Sequence, residues 1–410
     1  MTTNGISEQI DKIKRKNLSA LFFINLIHGM GVGMFNVVYQ PFILDITGSV
    51  LMVGIMVTIA GIVQFLPMPL IGKLSDKYGR KKMMLASIPF YFLGLSCLIF
   101  TTSNIQYLLI IGIVLYFFGA VINSLSSLIF VSENSNKSKG LMYGLILFSF
   151  FGGTIFGSTF VLFGEAFDTR LFFIIFLGII IGEGGINLGF ISEKFKFGAN
   201  PTSLTLNTSE KEISVWKKIK NNPKSKSVLI FLTLDLFIYN IGLSIYSGGL
   251  RDFYQFSLGE LALITIIFNT SNMLFQIPGG HLADRIGKKK SLILSQYFGM
   301  SFFVINILAF YVWSAGFTGF LFPALLISHI PFAMSVCTFI PSEQMALTDL
   351  DETRKAESYG MVGMIRGLGF IPTGYIGGFL VESVHYIAPL FISFFGIFFE
   401  IWYLFKYFQD

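Results

Sequence analysis

Twelve apolar runs, each long enough to cross a bilayer as a helix, constrain this 410-residue chain more than any single motif. They lie at about 18–44, 50–73, 83–102, 105–131, 139–164 and 170–192, and then at about 227–251, 258–282, 290–312, 315–341, 356–381 and 385–407. The runs are too long for membrane strands and do not alternate. Helices satisfy every backbone group inside hydrocarbon, so helices are expected. The predicted fold is therefore all-α and membrane-spanning: a polar N-terminus 1–17, a six-helix bundle 18–192, a polar linker 193–226 and a second six-helix bundle 227–407. Charged residues make up only 13% of the chain, about half the roughly 25% of soluble proteins. The first run is far longer than a signal-peptide core, so no cleaved leader is expected. Cys97 and Cys337 both sit in apolar runs and suggest neither a disulfide framework nor a metal site.

The two sets of runs are related. Gly72 to Lys82 reads G-K-L-S-D-K-Y-G-R-K-K, and Gly280 to Lys290 reads G-H-L-A-D-R-I-G-K-K-K. Each follows the second run of its half, and Asp76 and Asp284 stand 208 residues apart. Other pairs repeat with a similar offset: Glu133 with Glu343, Tyr143-Gly144 with Tyr359-Gly360, and Glu165 with Glu382. One unit written twice accounts for this. The pattern resembles the signature loop between helices 2 and 3 of the major facilitator superfamily of secondary transporters, with its degenerate copy between helices 8 and 9. Length, helix count and half-repeat carry the resemblance over nearly the whole chain. It implies two pseudo-symmetric six-helix bundles around a central cavity. It also implies that Gly72, Asp76, Gly79, Arg80 and Glu133 form a conformational gate, with Gly280, Asp284, Gly287, Lys288 and Glu343 as a weaker second set. In the superfamily the loop acts against the start of helix 11, favouring the outward-open state.

Basic residues predict the orientation. Of the 29 Lys and Arg, all but Arg170, Arg251 and Arg366 lie in the N-terminus, the even-numbered loops, the linker and the tail. By the positive-inside rule both termini are cytoplasmic, in a plasma-membrane protein. The same asymmetry explains the net charge of +6 without a nucleic-acid partner. In the linker, Ile213, Val215, Trp216 and Ile219 alternate with Lys217, Lys218 and Lys220, which fits either a basic amphipathic helix on the inner leaflet or a flexible connection.

Charges inside spans are costly and point to function. Asp235, Arg366 and Glu183 are the candidates. Asp235 and Arg366 lie at similar depth and fit either an ion pair or a proton site, because burial favours the neutral form of a carboxyl. In the superfamily helix 6 usually faces away from the central cavity, which lowers Glu183 as a coupling residue. The resemblance makes helices 1, 4, 7 and 10 the cavity walls, lined by Asn25, His28, Asn36, Tyr39, Gln40, Asn123, Asn240, Tyr246 and His329. Each histidine fits a packing role as well as a proton site. Glycines crowd run 5 (Gly152, Gly153, Gly157) and run 11 (Gly367, Gly369, Gly374, Gly377, Gly378), allowing close helix approach for sliding or for static packing.

No nucleotide loop, metal-ligand cluster or nucleophile elbow is present, so neither an enzyme nor a cofactor is expected. Tyr39-Gln40-Pro41 is similar to the end of helix 1 in twelve-helix drug exporters, but helix 4 holds no arginine and Ser158 stands where proline is expected in helix 5. The expected function is alternating-access transport of a small solute by a monomer, with proton-coupled export of amphipathic compounds as the first reading. Uptake or facilitated passage of a metabolite such as a sugar or organic ion is the second. A non-transporting membrane sensor or scaffold is the third.

Overall fold

The computed structural model describes residues 3–135, 139–193, 223–347 and 355–408, and over these the chain is helical without a strand. Twelve helices are long and apolar enough to cross a membrane. In chain order they are spans 1 to 6, Asp11–Thr47, Val50–Tyr78, Arg80–Phe100, Tyr107–Asn134, Gly144–Phe163 and Thr169–Phe190. Spans 7 to 12 are Lys226–Tyr254, Leu258–Ile286, Lys288–Ser314, Thr318–Glu343, Tyr359–Ser383 and Ala388–Tyr407. Phe35, Phe172, Phe173, Phe176, Phe302 and Phe303 are fully buried between helices, while Phe100, Phe156, Leu274 and Phe395 stand exposed on the outside. An apolar exterior of this extent is what lipid covers. The linker helix expected around Trp216 lies outside the described residues.

At the N-terminus one helix runs from Thr3 to Thr47, so the polar segment continues into the first span. Asn17 pins it where the polar segment meets the bundle. Its amide nitrogen donates to Asn134 Oδ1 and to the Ser192 carbonyl, both at 2.9 Å, and its oxygen accepts from Ser192 N–H.

Three spans are interrupted. Proline offers no amide hydrogen and clashes with the preceding turn. Pro67 divides span 2 into Val50–Phe65 and Met68–Tyr78, and Pro372 divides span 11 into Lys355–Phe370 and Thr373–Ser383. Span 7 divides without proline, into Pro223–Leu243 and Tyr246–Tyr254.

The glycines of spans 5 and 11 do different work. Gly153 and Gly157 press on the backbones of Leu26 and Met30 in span 1, and Gly29 and Gly33 return the contact on Phe150 and Thr154. All of these lie in one half, so span 5 uses its glycines for packing inside its own bundle. Span 11 divides its set. Gly367, Gly374 and Gly378 face Phe65, Gly54 and Val50 of span 2, across the boundary between halves, while Gly369 and Gly377 face Thr233 and Ile241 of span 7 in their own half.

Candidate functional site

The turn between spans 2 and 3 is one residue long. Gly79 makes it at φ 95°, a conformation that side chains resist. The Arg80 N–H, first of the next helix, donates to Glu193 Oε1 at 2.6 Å. Arg80 itself is buried, and its guanidinium reaches Asp76 Oδ1 and Glu133 Oε1, each at 2.7 Å. The three first-set charges thus meet inside the N-terminal half. Gly72 is buried one turn before Asp76. Lys81 extends to the end of span 6, donating to the carbonyls of Leu188 and Ile191 at 3.0 and 2.6 Å. A cation there complements the negative end of the helix dipole.

The second copy repeats part of this. Gly287 turns at φ 83°, and Lys289 donates to the carbonyls of Phe405 and Phe408 at the end of span 12. Around Gly280 there is room for a side chain, so packing does not require that glycine. The charge relay departs from expectation: among the described residues no ion pair joins Asp284 or Lys288 to Glu343. Glu343 is buried and takes Nη1 of Arg366 instead. Arg366 therefore does not pair with Asp235, whose Oδ1 accepts from Gln296 Nε2 at 2.9 Å. A long guanidinium within the bundle can satisfy a buried carboxylate, whereas Asp284 is exposed to solvent and needs no such partner.

Glu183 of span 6 is buried inside the N-terminal half, with Oε1 2.9 Å from His28 Nδ1 of span 1. Asn25, Asn123, Tyr91 and Asn187 line the small pocket around this pair, so the structure brings four sequence candidates together within one half: Asn25, His28, Asn123 and Glu183. Asn187 Oδ1 has no partner there. An adjoining aromatic cluster stacks Phe35 on Tyr39 and Tyr116 at centroid distances of 5.0 and 4.0 Å.

The candidates of the C-terminal half do not converge on a cavity. Tyr246 donates to Asn306 Oδ1 at 2.6 Å, Asn306 donates to Ser328, and His329 bonds the Leu325 carbonyl among the rings of Phe268, Phe302 and Phe332. Tyr246 and His329 are satisfied core residues. Asn240 donates back to the Leu236 carbonyl, and Asn36 is exposed.

Gln40 proves to be a contact between halves. Its Nε2 donates to the Ser244 carbonyl at 2.8 Å, and its Oε1 accepts from Gly248 N–H at 2.9 Å. It satisfies the backbone groups that the break in span 7 leaves free. On the same side, away from the signature loops, Glu382 Oε2 accepts from Ser49 Oγ at 2.8 Å and from Leu51 N–H at 2.9 Å. On the loop side, Gly360 and Gly363 of span 11 lie against Met68 of span 2, and Tyr359 packs against the cluster that holds Ile71. Spans 2 and 11 are thus in contact at both ends.

A sequence model described as Major Facilitator Superfamily matches residues 21–250 and 227–409. The chain belongs to the Major Facilitator Superfamily. Members of this superfamily are transporters that act in membranes on small molecules, and this chain is accordingly a multi-pass membrane transporter. It is 25% identical to an uncharacterized MFS-type transporter of Methanocaldococcus jannaschii over 393 residues, 90% of this chain and 89% of that protein. It is 29% identical to the quinolone resistance protein NorA of Staphylococcus aureus over 170 residues, spanning 41% of this chain and only 40% of NorA. Among solved structures, the nucleoside transporter NupG superposes with a TM-score of 0.71 over 96% of this chain and 100% of that one, at 16% identity. At that identity the likeness speaks to the fold.

The residues that sequence reasoning missed are Glu193, Gln296 and Glu400. Glu400 stands 217 residues after Glu183, the same offset that relates Glu165 to Glu382, so the internal repeat pointed to it.

Proposed function

We propose that this superfamily member is a proton-coupled exporter of amphipathic small molecules, residing in the plasma membrane with both termini cytoplasmic. It works as a monomer by alternating access, the halves rocking about the buried polar sites near mid-span. The observation that carries the reading is the glycine-lined contact of span 11 on span 2, closed at both ends. Backbone-to-backbone contacts of this kind part without stranding large side chains, and the two ends can open in turn. The partial likeness to NorA favours export over uptake.

The test is flux of a cationic amphipathic dye in proteoliposomes, with and without a pH gradient. Dye should accumulate in vesicles with an acidic lumen, as protons leave in exchange for it, and a protonophore should abolish this. Asp76→Asn should slow flux at least tenfold while the protein remains folded. Nucleoside or sugar movement without dye movement would favour metabolite transport, and no movement of any solute would favour a sensor or scaffold.

A further inference from the structure

The last span of each half carries one buried glutamate at equivalent positions, Glu183 and Glu400, and the two have opposite surroundings. Glu183 meets His28, a group able to carry positive charge. Glu400 is 0% exposed, and neither of its carboxyl oxygens has a hydrogen-bond partner. Its electrostatic neighbour is a second acid, Asp235 of span 7.

The groups around these two acids come from every neighbouring span. Tyr239 of span 7 is within electrostatic reach of both, and Ser335 of span 10 lies beside its buried hydroxyl. Span 9 provides Gln296, which is uncharged; its nitrogen is spent on Asp235 and its buried oxygen is unpartnered. Span 11 provides Arg366, and span 10 provides Glu343, which takes that arginine directly. On span 12 itself, Tyr403 turns to Ser227 and Lys406 lies over the rings of Trp402 and Tyr407. Among the described residues in this interior, three acids therefore share one guanidinium, which bonds Glu343 through Nη1 while its buried Nε has no partner.

Two carboxylates within electrostatic reach of each other in a low-dielectric interior repel and lose their hydration. The bundle relieves both costs if a proton comes in from water and one acid becomes a donor. A protonated Asp235 also offers a hydrogen to the unpartnered oxygen of Gln296, whose nitrogen already donates to it. Gly299 of span 9 leaves the space that the Tyr239 hydroxyl occupies, so the ring reaches this point only because no side chain stands there.

We propose that Asp235 and Glu400 form a proton-binding site inside the C-terminal bundle, away from the interface between halves. The proposal deepens the proton coupling put forward above and rests on it for the site's role, though not for its existence. The arrangement assigns the hydrogen-bonded pair, His28 and Glu183, to the N-terminal half and the exchangeable proton to the C-terminal half.

Infrared difference spectroscopy of the full-length protein in nanodiscs tests this directly, because a protonated carboxyl has a carbonyl band that a carboxylate lacks. At neutral pH the wild type should show such a band, shifted in heavy water and lost as pH rises. Glu400→Gln and Asp235→Asn should each remove it, and Glu183→Gln should keep it. If Glu400→Gln fails to fold, Asp235→Asn and the wild-type titration still decide the matter. Absence of a titrating band in the folded wild type, or a band untouched by both variants, overturns the proposal. So does loss of the band on adding sodium at constant pH, which would make this a metal-cation site. A band that behaves as expected, alongside dye flux indifferent to a pH gradient, would leave the site standing and remove the coupling.

Discussion

At the scale of single residues, the best-defined feature is Arg80. Its side chain is 11% exposed, and it holds two carboxylates that are 32% and 24% exposed. Arg80→Met keeps the packing of the stem but leaves Asp76 and Glu133 facing each other. A charged hydrogen bond contributes about 1.5–3 kcal/mol, and partial solvent access lowers the cost here. We expect a loss of about 2 kcal/mol, read as a lower unfolding midpoint. Glu133→Gln, which keeps one acceptor for the guanidinium, should cost less than half as much; equal losses would mean that the pair is not the source of stability. The motif spelled out Asp76 and Arg80, and the repeat offset added Glu133. Nothing local to Glu193 or Gln296 marks them, because their roles depend on a distant partner, the first N–H of span 3 for Glu193 and Asp235 for Gln296. Glu400 was legible through the repeat, but a lone acid near the end of an apolar run looks like a boundary residue until its depth is known.

At the scale of elements, the informative features are the interruptions. Pro67 and Pro372 stand at two of them, although Pro89, Pro278 and Pro331 sit inside helices that continue unbroken. The break in span 7 has no such marker. It persists because Gln40, from the opposite half, takes the place of the missing helical partners. That pairing is long-range and cannot be read from either segment alone. Gln40→Leu strands two buried backbone groups, at about 1–3 kcal/mol each. The cost falls only on the closed arrangement, so spin labels at Gly48 and Gln255 should move apart in this variant. An unchanged distance distribution would reduce Gln40 to a packing residue. The glycines of span 11 offer a second test at this scale. A side chain at Gly374 would lie 2.9 Å from Thr58 N in the other half, whereas at Gly377 it would meet Ile241 in its own. Gly374→Ala should therefore slow transport with little loss of stability within the half, and Gly377→Ala should lower stability first. The reverse order would contradict this division of roles.

At the scale of the whole molecule, the fold was largely legible. Apolar run length set the helix count, and the repeated loop set the two-fold arrangement. The structure sharpens the repeat: Lys81 and Lys289 both hold the closing turn of the last helix of their half, tying each loop to the far end of its own bundle. Both loops then lie on one face. Single cysteines at Lys82 and Lys290, both exposed, should react with an impermeant maleimide from the same side of the membrane. Labelling from opposite sides would break the two-fold relation. What the sequence did not reveal is how the halves meet, since that depends on pairings between residues hundreds of positions apart.

The contact between Glu382 and the start of span 2 has a further consequence. Ser49 already caps Met52 within its own helix, and Glu382 adds a carboxylate where free N–H groups gather. This clasp is open to solvent, so water can take over each of its bonds the moment the halves separate. A fastening that the surroundings can replace at little cost closes readily and releases readily. Dissolved anions would compete for the same vacated helix end, so the ionic medium on that side bears on how long the gap remains open.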